Sequence, residues 1–459
     1  MNREEIVMDL AETFAKFVVH TEFSDVDSSV IEHVKKLTLK QVMGMLVGSA
    51  APTSRKIIRY VKDNPGRPES GVYGCGFRAD MAQTAFINGF FGHASEMEDD
   101  QFPGGGISDV TTWPALLTVA DHLKLSGEEI VVALYVGQEM QNRIAMYASV
   151  GTDGIGICNL PFIGIYGATA SCARAFELTK EQIKASLGLA MVTGLGYMHT
   201  WGTDAHFYES ATVCRNGVLN AILAKNGATS NPVIEKCLDM LTGGDKNLEF
   251  DKMIEGLGEP PFYTNNTWIK KWGFCFFTHN FVDVFDKLVK GNNIKNEDIE
   301  EITLHFDLLR EVVDRPEPKD GEDSRFSTQH ILAYYLVHGE CDLGTCTETS
   351  VKDPRIDEIR KKIKVVYHPE WPKRYFSGEG QIDIKLRGGQ TLSDAMDQPF
   401  GSPKYPLTVD QVVDIYRKYC KGILSEAQVE RTKDLILNME NEPDLQELFD
   451  ICTFRHFLK

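Results

Sequence analysis

The densest reactive cluster in the sequence is NGFFGHASEMEDDQFPGGG, residues 88–106, where His93 precedes Glu96, Glu98, Asp99 and Asp100. Residues three and four apart share a helix face, so a helix through this stretch sets His93, Glu96 and Asp100 on adjoining faces. Pro103 and the run Gly104 to Gly106 predict that the helix stops here. Carboxylates at a helix C-terminus oppose the macrodipole by about 0.3–1 kcal/mol each. A local rule broken in this way is expected where function demands it. Crowded carboxylates raise one another's pKa, which suits Glu96, or Asp100 beside it, to act as a base. A solvated acidic helix end is the plainer alternative. An EF-hand loop is weaker still, because the alternating ligands and the glycine-then-glutamate pattern are missing.

Two other stretches carry chemistry. HTWGTDAHFYESATVCRNG (199–217) holds His199, His206, Glu209 and Arg215. Histidine titrates near neutral pH and suits proton transfer, whereas the spacing matches no H-x-x-x-H pair, so no metal is expected. TWIKKWGFCFFTHNF (267–281) places Lys270 and Lys271 among aromatic residues ahead of His279. A lysine held there binds a carboxylate or exchanges protons; the alternative is a snorkelling pair at a domain edge. Arg325 and His330, in RFSTQH, are ambiguous alone. The glycine clusters at 104–106 and 194–196 lack the strand-glycine-helix context of a nucleotide loop and read as turns.

These groups need a scaffold, and 459 residues predict two or three domains. Hydrophobic residues at 42% and charged residues at 25% are those of an ordinary folded chain. With 66 acidic against 48 basic residues the net charge is −18, which disfavours nucleic acid as a partner. No apolar run reaches the roughly 20 residues of a membrane span. The N-terminus reads as an acidic amphipathic helix and not as a signal peptide. Ten scattered cysteines without a Cys-x-x-Cys pair suit a reducing, cytoplasmic setting.

Helical periodicity dominates to about residue 260, as in Val30, Val34, Leu37 and Val42. Small residues including Gly137, Gly164, Gly167 and Ala168 predict close helix crossings, and GIYGATASCARAF (164–176) reads as a helix surrounded by others. After Pro261 the texture becomes mixed, with strands expected in 299–308, 362–368 and 380–389 and helices over 279–291 and 325–339, the latter capped by Ser327. Two helices are expected on that sheet. Helical texture returns after Leu407, with Thr408 as N-cap.

The order of these motifs resembles the MmgE/PrpD family, the superfamily of 2-methylcitrate dehydratase, cis-aconitate decarboxylase and iminodisuccinate epimerase. The matching segments are LVGSAAPTSRKI with GVYGCG, AFINGFFGHASEMEDD, PALLTVADHLKLSGEEIVVALYVGQEMQNRI, CRNGVLNAILAKNGAT, IKKWGFCFFTH, RFSTQHILAYYLVHG and GSPKYPLT. The resemblance implies a mainly α fold: an all-helical domain from both chain ends, 1–265 and 400–459, and an inserted α+β lid, 266–399. It also implies a homodimer without metal or organic cofactor, and a site in the cleft between domains that binds a small organic acid.

Carried over by position, Glu96 falls at the family's first motif aspartate, Glu98 and Asp99 at the pair after it, and Lys270 and His279 at the lid lysine and histidine. Cys158 or Asn159 stands at a family histidine, His206 at a lysine and His330 at a tyrosine. Fewer cations imply a substrate with fewer carboxylates than citrate or aconitate. The implied mechanism has Glu96 or Asp100 as base and His206 or His330 as acid. Lys270 holds the substrate carboxylate, with His279, Arg325, Cys158 and Asn159 as further binding residues. The expected activity is that of a lyase or isomerase moving a proton next to a carboxylate. A family member reshaped into a binding or scaffold protein is the alternative.

Overall fold

The computed structural model describes residues 9–102, 104–148, 156–197, 200–241, 248–371 and 380–454. They fall into two units: one runs to Thr267 and resumes at Val409, the other is Trp268–Thr408. The first is built from α1 (Leu10–His20), α2 (Ser28–Ser49), α3 (Ser54–Asp63), α4 (Met81–Ala94), α5 (Asp109–Leu123), α6 (Gly127–Ala148), α7 (Asn159–Ala175), α8 (Lys180–Ala190), α9 (Asp204–Lys225), α10 (Ile234–Leu241) and α11 (Phe250–Ile254). A short antiparallel hairpin, β1 (Ser70–Val72) with β2 (Phe77–Ala79), interrupts this helical run. Asp121 anchors it, accepting from the Gly71 N–H at 2.7 Å and pairing with Arg78 at 2.9 Å.

The centre of this unit is α7, buried along almost its whole length, as its lack of charge predicts. Small residues permit the crossing of α6 and α7: a Cβ on Gly137 would lie 2.6 Å from the Gly167 carbonyl oxygen. Any larger residue would push the helices apart.

A charged network is sealed into the same core. Lys40 of α2 pairs at 2.8 Å with Asp109, the first residue of α5, and both are buried. The other oxygen of Asp109 accepts from the Asp99 N–H at 3.0 Å. Asp99 in turn accepts from the backbone N–H groups of Ser108 at 2.7 Å and Asp109 at 3.0 Å, satisfying donors at the start of α5. Ser108 Oγ bonds Asp99 and accepts from Gln138 at 2.9 Å. Burial, and then the neighbouring Asp109, push the Asp99 carboxyl well above the usual carboxylate range. Lysine and aspartate therefore form the ion pair, and Asp99 serves as a hydrogen-bonding member.

In the second unit, α12 (His279–Gly291) leads to β3 (Ile299–Phe306). The short helix α13 (Gly321–Ser324), then α14 (Thr328–His338), α15 (Glu348–Val351) and α16 (Pro354–Arg360) precede β4 (Ile363–Tyr367), and β5 (Gly380–Leu386) and β6 (Thr391–Met396) follow. The sheet order is β4-β3-β5-β6, parallel between β3 and β4 and antiparallel elsewhere. Ile302, Leu304 and Phe306 alternate inward on β3, and a register shift near Ile299 and Glu301 explains the break in that alternation. Helix α12 packs on β5 and β6, whereas α14, expected on the sheet, packs on α16 and α12. The chain then re-enters the first unit through α17 (Val409–Cys420), α18 (Glu426–Leu437) and α19 (Gln446–Thr453). No helix among the described residues is long and apolar enough to cross a membrane.

Ser327 caps α14, accepting from the His330 N–H at 3.0 Å. The His330 ring is fully buried, and its Nε2 donates to the Thr345 carbonyl at 2.8 Å. Burial lowers its pKa from 6.5 to about 4, against the pull of that carbonyl. It is a neutral imidazole at neutral pH.

Two stability predictions follow from these buried groups. Lys40→Met strands a buried carboxylate and should cost about 3–5 kcal/mol in urea denaturation, whereas Asp99→Asn, which keeps an acceptor oxygen, should cost about 1 kcal/mol; equal costs would contradict the assignment of the ion pair. His330 binds a proton near pH 6.5 when unfolded and only near 4 when folded. The stability it contributes is thus present above about 6.5 and lost as pH falls towards 4, by about 3 kcal/mol in total. Unfolding of His330→Asn, followed by denaturation across this range, should lack that loss; an unchanged pH slope would refute it.

Candidate active site

Helix α4 ends at Ala94, before the acidic run, so the helical placement of Glu96 beside Asp100 is corrected. The Glu96 N–H donates to the His93 carbonyl at 2.9 Å, and Glu96 adopts a left-handed conformation, φ 55°. That costs a non-glycine residue about 1 kcal/mol and turns its side chain back towards His93. Ser95 Oγ accepts from the Met97 N–H at 3.1 Å and fixes the exit from the helix. Glu96, Glu98, Asp99 and Asp100 are all buried, which rules out a solvated acidic helix end.

Helix α9 meets α4 at close range. A Cβ on Gly89 would lie 2.7 Å from Cys214 Sγ, and Ser210 Oγ donates to the Gly89 carbonyl at 3.0 Å. This crossing brings His206, in the first turn of α9, to the end of α4. His206 Nε2 lies 3.5 Å from Glu96 Oε1, and its Nδ1 lies 3.8 Å from Glu209 Oε2. The His93 ring sits 4.2 Å from the His206 ring, with Trp201 edge-on at 6.1 Å. Glu209 accepts from Cys158 Sγ at 3.3 Å on that same Oε2 and from Thr200 Oγ1 at 3.1 Å on Oε1.

Burial works to lower the His206 pKa, but the Glu209 and Glu96 carboxylates together outweigh it and push the imidazole up to about 9. Burial, and then Glu209, push the Cys158 thiol well above its ordinary value, so it is a hydrogen-bond donor and not a nucleophile. Asn159 opens α7 beside Gly105, where a Cβ would come within 3.0 Å of its Nδ2. His93, Glu96 and His206 each offer one ligand atom, all within 4.8 Å of one another, and so could hold a metal ion.

The structure thus gathers Glu96, His206 and Cys158 of the expected residues, and adds His93 and Glu209. Both lie in the reactive stretches singled out from the sequence, and Glu209 stands one helical turn beyond His206, a spacing that puts the two on one helix face. Arg215 of the same helix turns to the Phe86 ring, 5.4 Å away. His199 lies outside the described residues.

In the second unit Lys270 is buried, while Lys271 pairs with Asp283 at 2.5 Å and covers the Trp272 ring at 4.2 Å. His279 begins α12 with its ring among Trp272, Phe274 and Phe276 and its Nε2 donating to the Phe274 carbonyl at 3.3 Å. Arg325 binds the Gly273 carbonyl at 3.1 Å and pairs with Glu322 at 3.0 Å. Both side chains therefore brace the loop that follows Lys270. His330, the other acid candidate, has its Nε2 on the Thr345 carbonyl and its pKa lowered to about 4 by burial, whereas the carboxylates around His206 raise its pKa to about 9.

Comparison with known proteins accords with this architecture. The MmgE/PrpD N-terminal domain matches residues 12–243 and the MmgE/PrpD C-terminal domain matches residues 272–441. Cis-aconitate decarboxylase of Aspergillus terreus is 23% identical over 93% of this chain and 92% of its own length. The Homo sapiens cis-aconitate decarboxylase is 22% identical over 96% of this chain and 94% of its own. The mitochondrial 2-methylcitrate dehydratase of Yarrowia lipolytica is 21% identical over 98% and 90%. Matched by both domains across most of its length, the chain belongs to the MmgE/PrpD family.

Proposed function

We propose that the protein is a lyase that moves a proton at a carbon next to a carboxylate of a small organic acid. The observation that carries this reading is the buried line Glu96, His206, Glu209, in which one imidazole stands between two carboxylates. Names of relatives support the reaction class, since they describe a decarboxylase and a dehydratase. In dehydration, Glu96 takes the proton from carbon, the C–H electron pair becomes the double bond, and the β-hydroxyl leaves as water with a proton from His206. In decarboxylation, the C–C bond breaks, its electron pair stays on the carbon as neutral carbon dioxide leaves, and that carbon takes the proton from His206, which Glu96 keeps protonated. Glu209 holds the other ring nitrogen, so that Nε2 faces Glu96. Exclusion of water strengthens each of these charge contacts. Lys270 is assigned to the substrate carboxylate on the resemblance alone.

We also infer a homodimer. Val192, Leu195 and Tyr197, close together in the segment after α8, are exposed at 77%, 57% and 67%, an apolar surface suited to a second copy. Light scattering at micromolar concentration should give twice the 51.4 kDa chain mass, and a monomer would refute this.

The lyase reading is tested by incubating the protein with cis-aconitate, 2-methylcitrate and a panel of hydroxy and unsaturated mono- and dicarboxylates, with products read by proton NMR. One member should be converted, and Glu96→Gln and His206→Asn should each lower kcat by about 100- to 10,000-fold. Full activity in Glu96→Gln, or no conversion by the folded protein, would overturn it.

A further inference from the structure

We propose that His93, Glu96 and His206 form a binding site for one divalent transition cation of the zinc or cobalt class, and that its occupancy shuts off proton transfer at the same place. The claim that turnover stops rests on the lyase reading above; the claim of binding does not.

The donor set is two imidazoles and one carboxylate, a combination that suits borderline-soft ions over calcium or magnesium, which take oxygen ligands. All three side chains are buried, with relative exposures of 0%, 2% and 7%. Their ligand atoms converge within 4.8 Å. His206 Nε2 and Glu96 Oε1 lie 3.5 Å apart, close to the roughly 3.4 Å that separates neighbouring ligands around a tetrahedral ion with bonds of about 2.1 Å.

A second observation points the same way. Metal-binding histidines usually present one ring nitrogen to the ion and the other to a carboxylate, which fixes the ring. His206 has this arrangement, with Nδ1 on the Glu209 side at 3.8 Å and Nε2 on the Glu96 side. Glu209 is itself braced by Cys158 and Thr200. The ligands also start from rigid backbone: His93 is in the last turn of α4, Glu96 is locked at φ 55°, and α9 is pressed against Gly89. Little rearrangement is needed to close them on an ion. Sequence spacing hid the site because its histidines, 113 positions apart in the chain, come from two different helices. With a cation on Nε2 and Oε1, neither the donor nor the base is available to substrate.

The experiment is a titration of the chelator-treated full-length chain with Co2+, followed by its visible ligand-field absorption. One Co2+ per chain should bind with the intense spectrum of a four- or five-coordinate site. His93→Ala, Glu96→Gln and His206→Asn should each weaken binding by at least about tenfold, while the exposed His122→Asn should not. Should the variants misfold, X-ray absorption of the native Zn2+-loaded chain decides: a first shell with two imidazoles supports the site, and a sulfur ligand or oxygen alone overturns it. Absence of stoichiometric binding, or variants that bind as the native chain does, also overturns it. Zn2+ should abolish the turnover found with the organic-acid panel, and chelator should restore it. Full turnover by the loaded protein would sink the inhibitory half. Cobalt binding by a chain inactive towards the whole panel would leave the site standing and remove the lyase reading.

Discussion

The close crossing of α4 and α9 at Gly89 is the constraint on which the candidate site depends. A hydrogen in place of a side chain lets Cys214 and Ser210 of α9 lie against the α4 backbone. Only at that spacing does the first turn of α9 reach the end of α4, placing His206 between Glu96 and Glu209. A Cβ there would meet both sulfur and a backbone carbonyl, so the helices would have to separate, and the ring contact between His93 and His206 would open with them. The placement of Glu96 beside His206 is thus set by a glycine seven positions before it.

A second requirement is to hold an acidic segment inside a protein. Burying carboxylates costs several kcal/mol each unless donors meet them. Near this segment Lys40 pairs with Asp109, and Asp99 receives the first N–H groups of α5. Asp99 is thereby tied to helix α5 while Glu96, three residues earlier, is tied to α4 through the His93 carbonyl. The left-handed turn at Glu96 is the strained joint between these two anchors.

Much of the fold was legible because its signals are local. The apolar period of 279–291 coincides with α12, Ser327 caps α14 as its position predicts, and the alternation of 299–308 gives β3. What escaped had no local signal. Strand β6, TLSDAM, alternates only between exposed and half-buried positions at the sheet edge, so it lacks a hydrophobic face to read. The hairpin of β1 and β2 is too short for periodicity and is held by Asp121 from another element. The end of α4 was misplaced because proline and glycine mark where a helix must stop, and this one stops earlier, by a left-handed residue that is usually glycine and here is glutamate. Within the site, Glu96 and His206 were visible as residue types, whereas their pairing came from a crossing of helices more than a hundred residues apart. Lys271 and His330 show the converse: chemically suggestive residues that the fold uses as an ion pair and a buried tie.

The proposed chemistry of this cluster moves a proton between solvent and a carbon next to a carboxylate. It is tested most directly by running the reaction in D2O on the panel member the protein converts, and reading recovered substrate and product by NMR. One deuterium is expected on the carbon adjacent to the carboxylate, at a rate that collapses when Glu96 is replaced by glutamine. Turnover without deuterium at that carbon, or exchange that survives the loss of Glu96, would contradict it.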